Sequence, residues 1–370
     1  MSALFTTVAL GSRTAPNRIA VSPMCQYSAV GGMPTDWHLQ NTMTHAISGA
    51  GLVMMEATAV EERGQITHGC LGIYSESHQS AIAKVIAAAR EIAPKDVLFG
   101  IQLAHAGRKG SAHRPWEGGQ PLGAEEQPWI TVAPSPIAFG EGWPVPRELT
   151  TAELETVKQA FVMAARRATA AGFDVIELHA AHGYLIHQFL SPLSNGRQDA
   201  YGRGGARTFP LAIARAVRDV VPRSRVLGAR ITGTDWVEGG LTVSDAVEWA
   251  GELESAGYDY VCVSSGGIVP TAKIPMGPGY QVPFAEAIKK ATTLKVRTVG
   301  MIADATQAEE VIATNRADMI AMARAMIDDP RWPWHAAAQL GVEIPRPHPY
   351  ARAAPRQWPG YALAHPTSHT

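Results

Sequence analysis

Short apolar, β-branched runs alternate along this chain with longer stretches of helical period. The runs at 18–21, 52–59, 97–103, 175–179, 226–232, 260–264, 295–299 and 319–322 are too short for helices and predict strands. Between them, 77–92, 151–171, 244–256, 283–291 and 306–314 read as amphipathic helices. Thr151-Ala152-Glu153-Leu154-Glu155 and Thr242-Val243-Ser244-Asp245 carry the hydroxyl and carboxylate residues that suit helix N-termini. Ala170-Ala171-Gly172-Phe173-Asp174 and Ser255-Ala256-Gly257-Tyr258-Asp259 share a second punctuation, in which Gly ends a helix and a strand follows. Eight strand–helix units in one chain predict a (β/α)8 TIM barrel. A doubly wound sheet shares the alternation, and strand order is not legible in a single sequence.

The alternation breaks twice. Residues 104–147, rich in Gly, Pro and Trp, exceed an ordinary loop and predict a lid-like insert after the third strand. From Pro345 onward the tail holds six prolines and no helical period, which predicts an extended arm that docks on another surface or stays disordered. The expected division is a barrel unit over 1–345, insert included, and a Pro-rich arm over 346–370.

Composition narrows the function classes. With 370 residues, 46% of them hydrophobic, the chain can bury a large core in one barrel or two smaller domains. A formal charge of -1 argues against a dedicated nucleic-acid or acidic-membrane binder. The apolar runs are too short to cross a bilayer, and the first residues lack the basic start of a secretory signal. Cys25, Cys70 and Cys262 are too few and too scattered for a disulfide framework, so a reducing cytoplasm is expected.

Candidate chemistry gathers after the fourth strand, in His179-Ala180-Ala181-His182-Gly183-Tyr184. Two imidazoles and a phenol emerge there from a strand end, where α/β proteins bind substrates. Histidines three apart can donate a pair of hydrogen bonds to one oxygen, and a tyrosine beside them can deliver a proton. A zinc pair is the other reading, but zinc needs more ligands and the helical His-Glu-x-x-His pattern is absent, so no metal is expected. Gly202-Arg203-Gly204-Gly205 and Gly277-Pro278-Gly279 lack the spacing of a dinucleotide fingerprint, which argues against a Rossmann pocket. Gly300-Met301-Ile302-Ala303-Asp304 and Ala323-Arg324-Ala325 follow the seventh and eighth strands, where barrels commonly bind phosphate. Gly300 permits close backbone approach, and Arg324 can contact phosphate bidentately or serve as a surface salt-bridge partner.

Asn17-Arg18-Ile19-Ala20-Val21-Ser22-Pro23-Met24-Cys25-Gln26-Tyr27 resembles the first strand of the Old Yellow Enzyme family of flavin ene-reductases. Cys25, where many relatives carry Thr, resembles the thermophilic-like, xenobiotic-reductase class. Glu56-Ala57-Thr58-Ala59-Val60, Gly64-Gln65-Ile66-Thr67 and Gly100-Ile101-Gln102-Leu103-Ala104-His105-Ala106-Gly107-Arg108 agree with the same family. So do the His179 motif, Ser191-Pro192-Leu193-Ser194-Asn195, Asp199-Ala200-Tyr201-Gly202 and Asp328-Asp329-Pro330, in order from about Leu4 to Tyr350.

The resemblance implies non-covalent FMN at the C-terminal mouth of the barrel, with NADPH or NADH as transient hydride donor. Ser22, Pro23, Met24 and Cys25 would line the isoalloxazine, with Ala57 nearby and Gln102 on its pyrimidine ring. Arg230 would face N1 and O2, Ser264 the ribityl or phosphate region, and Gly300, Ala323 and Arg324 the phosphate. His179 and His182 would bind the oxygen of an activated alkene (an enone, enal, maleimide or nitroalkene) while Tyr184 supplies a proton. Tyr27 and Trp116 would shape the pocket, although Trp116 equally suits packing of the lid. Cys25 reads as a tuner of the flavin or as a buried packing residue. Arg352, two residues after Tyr350, matches a tail arginine that enters a neighbouring subunit's site, implying a homodimer or dimer of dimers.

Two departures from the family stand out. Tyr201-Gly202-Arg203-Gly204-Gly205-Ala206-Arg207-Thr208 is shorter than usual, and Ala323-Arg324 replaces Gly-Arg. A dienoyl-CoA-type FMN reductase and a flavin-free barrel binding protein or hydrolase are the competing functions. Iron–sulfur relatives would need a cysteine cluster that the chain lacks.

Overall fold

Every one of the eight apolar runs becomes a strand in the computed structural model, which describes residues 2–365. The strands are β1 (Ile19–Val21), β2 (Leu52–Ala59), β3 (Leu98–Ala104), β4 (Val175–Ala180), β5 (Val226–Thr232), β6 (Tyr260–Ser264), β7 (Lys295–Thr298) and β8 (Met319–Met322). Each pairs in parallel with its neighbour in sequence, and β8 closes on β1. That order makes a TIM barrel and excludes the doubly wound sheet. β2, β3, β4 and β5 are buried along their whole length because barrel strands are covered on both faces, which explains their near-continuous apolar runs.

The helices are α1 (Asp36–Ala46), α2 (Glu76–Ile92), α3 (Thr151–Ala170), α4 (Leu185–Leu190), α5 (Thr208–Val220), α6 (Val243–Ser255), α7 (Val282–Ala291), α8 (Ala305–Ala313), α9 (Arg324–Asp328), α10 (Trp332–Gln339) and α11 (Tyr361–Ala364). Thr150 and Thr242 cap α3 and α6, their hydroxyls accepting from the backbone N–H groups of Glu153 and Asp245. Inside the barrel, Leu52, Met54, Leu98, Val175, Val226, Tyr260, Cys262 and Met319 pack together. Val8, Leu10 and Ala15 join that cluster from an antiparallel hairpin of Val8–Leu10 and Arg13–Ala15, closing the N-terminal end.

Of the helices outside the amphipathic stretches read from the sequence, α1 and α4 carry no legible apolar period, whereas α5 does, burying Phe209, Ile213 and Val217 along one face. α1 buries His38, Thr42 and His45 rather than an aliphatic stripe. α4 is buried on every residue, and six residues are too few to show a period. α5 begins directly after the shortened segment at 201–208, which forms a 3-10 turn at Arg203–Gly205. This segment borders a cavity of about 500 Å3 whose floor includes Ala180, Leu190, Leu211 and Trp249.

The insert after β3 is anchored by Arg108, which is 1% exposed and donates to the carbonyls of Ile137, Ala138 and Ile268. It holds three 3-10 turns and a short parallel pair, Val132–Ala133 with Arg147–Glu148. The arm is not extended throughout: it winds into a 3-10 turn at His348–Ala353 and then α11, because Trp334 of α10 offers a docking face. Tyr350 meets the Trp334 ring edge-on at 5.7 Å, and the Arg331 and Arg346 guanidinium groups lie 4.6 and 4.7 Å from its centroid. Positions 366–370 of the expected arm lie outside the described residues.

Candidate active site

The C-terminal ends of β1 to β8 bring together residues that are far apart in sequence. His179, the last but one residue of β4, pairs through its backbone with Arg230 on β5, and Arg230 pairs in turn with Cys262 on β6. A turn after β4 then folds back over the mouth. His182 and Gly183 both adopt the left-handed conformation, with φ of +58° and +73°. Only Gly fits at 183, since a Cβ there would stand 2.0 Å from the carbonyl oxygen of Gly267.

This turn aims three side chains at one another. The His179 ring lies 5.1 Å from the His182 ring and 4.8 Å from that of Tyr184, edge to face in both cases. His179 Nδ1 accepts from the Ala181 N–H at 3.3 Å, which leaves the ring proton on Nε2. That Nε2 is 3.3 Å from His182 Nδ1, and His182 Nε2 is 2.7 Å from Ser264 Oγ. Burial, reinforced by the Arg230 charge, holds both imidazoles well below the usual histidine range. Both are therefore neutral N–H donors at physiological pH. Burial also raises the Tyr184 phenol, with the nearby Cys25 and Cys70 adding to the effect, so it keeps its proton.

The opposite wall comes from the loop after β1. Glu56 Oε2 accepts from the Gln26 N–H at 3.0 Å, tying this loop to β2, while Glu56 Oε1 sits 3.3 Å from His38 Nε2. Cys25 and Tyr27 are held beside Tyr184, and Tyr27 has a φ of +49°. Enclosure pushes the Cys25 thiol well above its ordinary pKa, and Cys70 and Glu56 push further, so it stays protonated. A protonated thiol is a poor nucleophile. Trp116 meets Tyr27 edge-on at 5.7 Å but is 66% exposed, so it touches the mouth only through Tyr27.

Several buried polar atoms here lack partners among the described residues. Ser22 Oγ and Arg230 Nε have none, although their residues are only 1% and 8% exposed. Gln102 Nε2 donates to Glu177 Oε1 at 2.8 Å, which leaves its carbonyl oxygen free as an acceptor. Glu177 also receives the Tyr260 hydroxyl and pairs with the fully buried Arg297. Ala57 lies on β2 beside Gln102 of β3. Pro23 and Met24 are half-buried in the loop after β1.

Across the mouth, Gly300 has a φ of +126°, and a Cβ there would meet Gln281 Nε2 at 2.7 Å. Gln281 in turn joins Ser264, Ser265 and the Val299 carbonyl, linking the ends of β6 and β7. Arg324, the first residue of α9 after Ala323, is exposed and acts electrostatically on Tyr280. Orphaned donors on one side and an exposed guanidinium beside open backbone on the other suit a planar heterocycle carrying a phosphate.

Arg352 is exposed in the arm's 3-10 turn, away from its own chain's mouth, where that turn packs on α10. Sequence reasoning missed Lys109, whose ammonium donates to the carbonyls of His182 and Gly267 and lies 5.1 Å from the Tyr184 ring centroid. Burial lowers its pKa to about 8. His187, Asp235 and Glu177 were also missed. Lys109 directly follows Gly107-Arg108, and His187 lies within the motif run, so adjacency was the available signal.

The family profile for NADH:flavin oxidoreductases and NADH oxidases matches residues 3–343. An NADPH dehydrogenase of Geobacillus thermodenitrificans (strain NG80-2) is 42% identical over 353 residues, covering 94% of this chain and 98% of the relative. An NADPH dehydrogenase of Listeria monocytogenes serovar 1/2a is 41% identical over 357 residues, covering 95% and 99%. Among solved structures, morphinone reductase superposes with a TM-score of 0.75 at 27% identity, covering 94% of this chain and 92% of that one. A 2-naphthoyl-CoA reductase reaches 0.81 at 26% identity over 92% of this chain, which spans about half (52%) of that longer protein. Barrel, mouth and matches agree: the chain belongs to the NADH:flavin oxidoreductase / NADH oxidase family, the Old Yellow Enzyme family, and is an NAD(P)H-dependent FMN oxidoreductase.

Proposed function

We propose that this enzyme is an ene-reductase, which reduces the C=C bond of activated alkenes such as enones, enals, maleimides and nitroalkenes. The observation that carries the reading is the convergence of two neutral imidazoles and a protonated phenol at one point of the mouth. FMN, when bound, supplies the redox chemistry, accepting hydride from NADPH or NADH and giving hydride to the alkene.

The chain's own residues do the rest. His179 and His182 donate hydrogen bonds to the carbonyl or nitro oxygen and stabilise the negative charge that develops there. Tyr184 delivers a proton to the α-carbon. Ser22, Pro23, Met24, Cys25 and Ala57 form the bed for the ring system, and the Gln102 carbonyl accepts from its pyrimidine edge. Arg230 supplies positive charge where reduced flavin accumulates negative charge. Ser264 orients His182 as well as facing the ribityl side, while Gly300, Ala323 and Arg324 hold the phosphate. Tyr27 bounds the substrate space. Arg352 belongs to an arm, 346–370, that completes the pocket of a second copy in a homodimer or dimer of dimers. The unpaired state of Cys25, Cys70 and Cys262 supports work in the reducing cytoplasm.

The test is a two-step spectral experiment on purified enzyme. Anaerobic NADPH should bleach the yellow flavin bands, and 2-cyclohexenone should restore them. Bleaching by NADPH with no restoration by any enone, maleimide or nitroalkene would remove the alkene reading. Restoration by an unsaturated acyl-CoA alone would favour the dienoyl-CoA type instead.

A further inference from the structure

Neither His187 nor Asp235 reaches the mouth, yet both are fully buried directly behind the turn that carries His182 and Tyr184. His187 Nδ1 accepts the Gly183 N–H at 2.8 Å. With Nδ1 occupied as an acceptor, the ring proton sits on Nε2, which is 2.9 Å from Asp235 Oδ1. Asp235 is held by the hydroxyl of Ser191 and the N–H of Leu241, each donating to Oδ2 at 2.8 Å. Asp235 Oδ1 stands at ion-pair distance from His187 Nε2 without hydrogen-bond alignment, so its charge favours the proton on Nε2 while the Gly183 N–H occupies Nδ1.

The turn needs such a hold. His182 is a non-glycine residue in the left-handed region, a conformation that L side chains rarely adopt. Gln188 adds a second contact, donating from Nε2 to the Gly183 carbonyl at 2.7 Å. Lys109 grips the far side through the His182 carbonyl.

We propose that His187, oriented by Asp235, is a positioning residue for alkene reduction: its Nδ1 holds the Gly183 N–H and so keeps His182 and Tyr184 aimed at one point. This inference rests on the ene-reductase reading for its kinetic consequence but not for its structural one. Proton delivery by Tyr184 is needed only when the alkene is reduced, so loss of the hold should slow reoxidation more than flavin reduction by NAD(P)H. A misplacement of about 1 Å can cost about a hundredfold in rate.

The experiment compares His187→Leu, which removes the acceptor, with His187→Asn, whose side-chain oxygen stands near the place of Nδ1. Stopped-flow absorbance follows flavin reduction by NADPH and reoxidation by 2-cyclohexenone in the holoenzymes. We expect His187→Leu to slow reoxidation by about 10- to 100-fold with reduction within about twofold of wild type, and His187→Asn to recover most of the loss. Reoxidation by His187→Leu within twofold of wild type, equal slowing of both half-reactions, or no recovery in His187→Asn would each overturn the proposal. Nitrogen-15 spectra of histidine-labelled wild-type holoenzyme give a readout independent of any alkene. The proposal requires His187 to be protonated on Nε2 and bare on Nδ1, and the opposite tautomer would refute it even if both variants failed to fold. A wild-type enzyme that no alkene reoxidises, with the expected tautomer, would instead count against the ene-reductase reading alone.

Discussion

The two sides of the barrel mouth hold polar groups in opposite ways. On the β4–β6 side His179, Arg230 and Ser264 are 3%, 8% and 4% exposed, and the His179 and His182 imidazoles are kept neutral. On the β7–β8 side Met301 is 48% exposed and Arg324 is open to solvent. A dry wall makes each hydrogen bond to developing charge count for more, because little solvent competes for it. A wet wall holds a phosphate by charge that salt can screen. Under the proposed function, chemistry and anchoring would be separated by about half the circumference of one barrel, from β4 to β8.

The comparison breaks most visibly if the dry wall is wrong. His179→Ala should lower kcat/KM for cyclohexenone by about 10²- to 10³-fold while the flavin stays bound, as steady-state kinetics on flavin-loaded protein would measure. A tenfold or smaller loss would mean that His179 is not an oxyanion donor. Next in size, Tyr184→Phe should slow reoxidation by the enone about 10²-fold and leave reduction by NADPH within about twofold. Equal slowing of reduction would instead make Tyr184 a nicotinamide-positioning residue.

On the wet wall the expected effect is smaller and salt-dependent. Arg324→Ala should weaken FMN affinity about tenfold in dilute buffer, and the gap from wild type should narrow in high salt. Fluorescence titration of the apoprotein with FMN measures both quantities. The buried histidines also have a pH consequence for stability. His45 is held at about 4 by burial and the Arg331 charge, and His179 and His182 lie well below the usual range. Unfolded histidines take up protons near pH 6.5 while these folded ones do not, so stability falls as pH drops from about 6.5 toward 4. Thermal melts at pH 7 and pH 5 should show a lower Tm at pH 5, by about 1–1.5 °C for each kcal/mol lost. His45→Gln should make that difference smaller. The smallest effect belongs to the arm: if it completes a second copy's pocket as proposed, ending the chain before Pro349 should raise the KM for the alkene severalfold or lower the solution mass, with the flavin barrel intact. Unchanged solution mass together with unchanged kinetics would remove Arg352 from the site.

How far the sequence reaches depends on the range of the interaction. β2, β5, β6 and β8 fall on the apolar runs themselves, since a strand covered on both faces shows up as uninterrupted apolar sequence. α1 did not show, because its buried face is His38, Thr42 and His45 and burial there depends on partners such as Glu56 on another element. His179, His182 and Tyr184 were readable because they share one short motif at a strand end. Lys109 and Asp235 were not, since their importance lies in contacts with a turn some 70 and 50 residues away, respectively.

By itself the sequence determined the strand–helix alternation, the place of the insert and the identity of the groups that can donate, accept or carry charge. Those follow from side-chain chemistry and local period, which need no knowledge of the distant chain. The closure of β8 on β1, the left-handed turn at His182, the neutral state of the imidazoles and the docking of the arm on Trp334 were decided only in three dimensions. Each depends on desolvation or contact between segments far apart in the chain, and that is a property of the packed molecule rather than of any stretch of it.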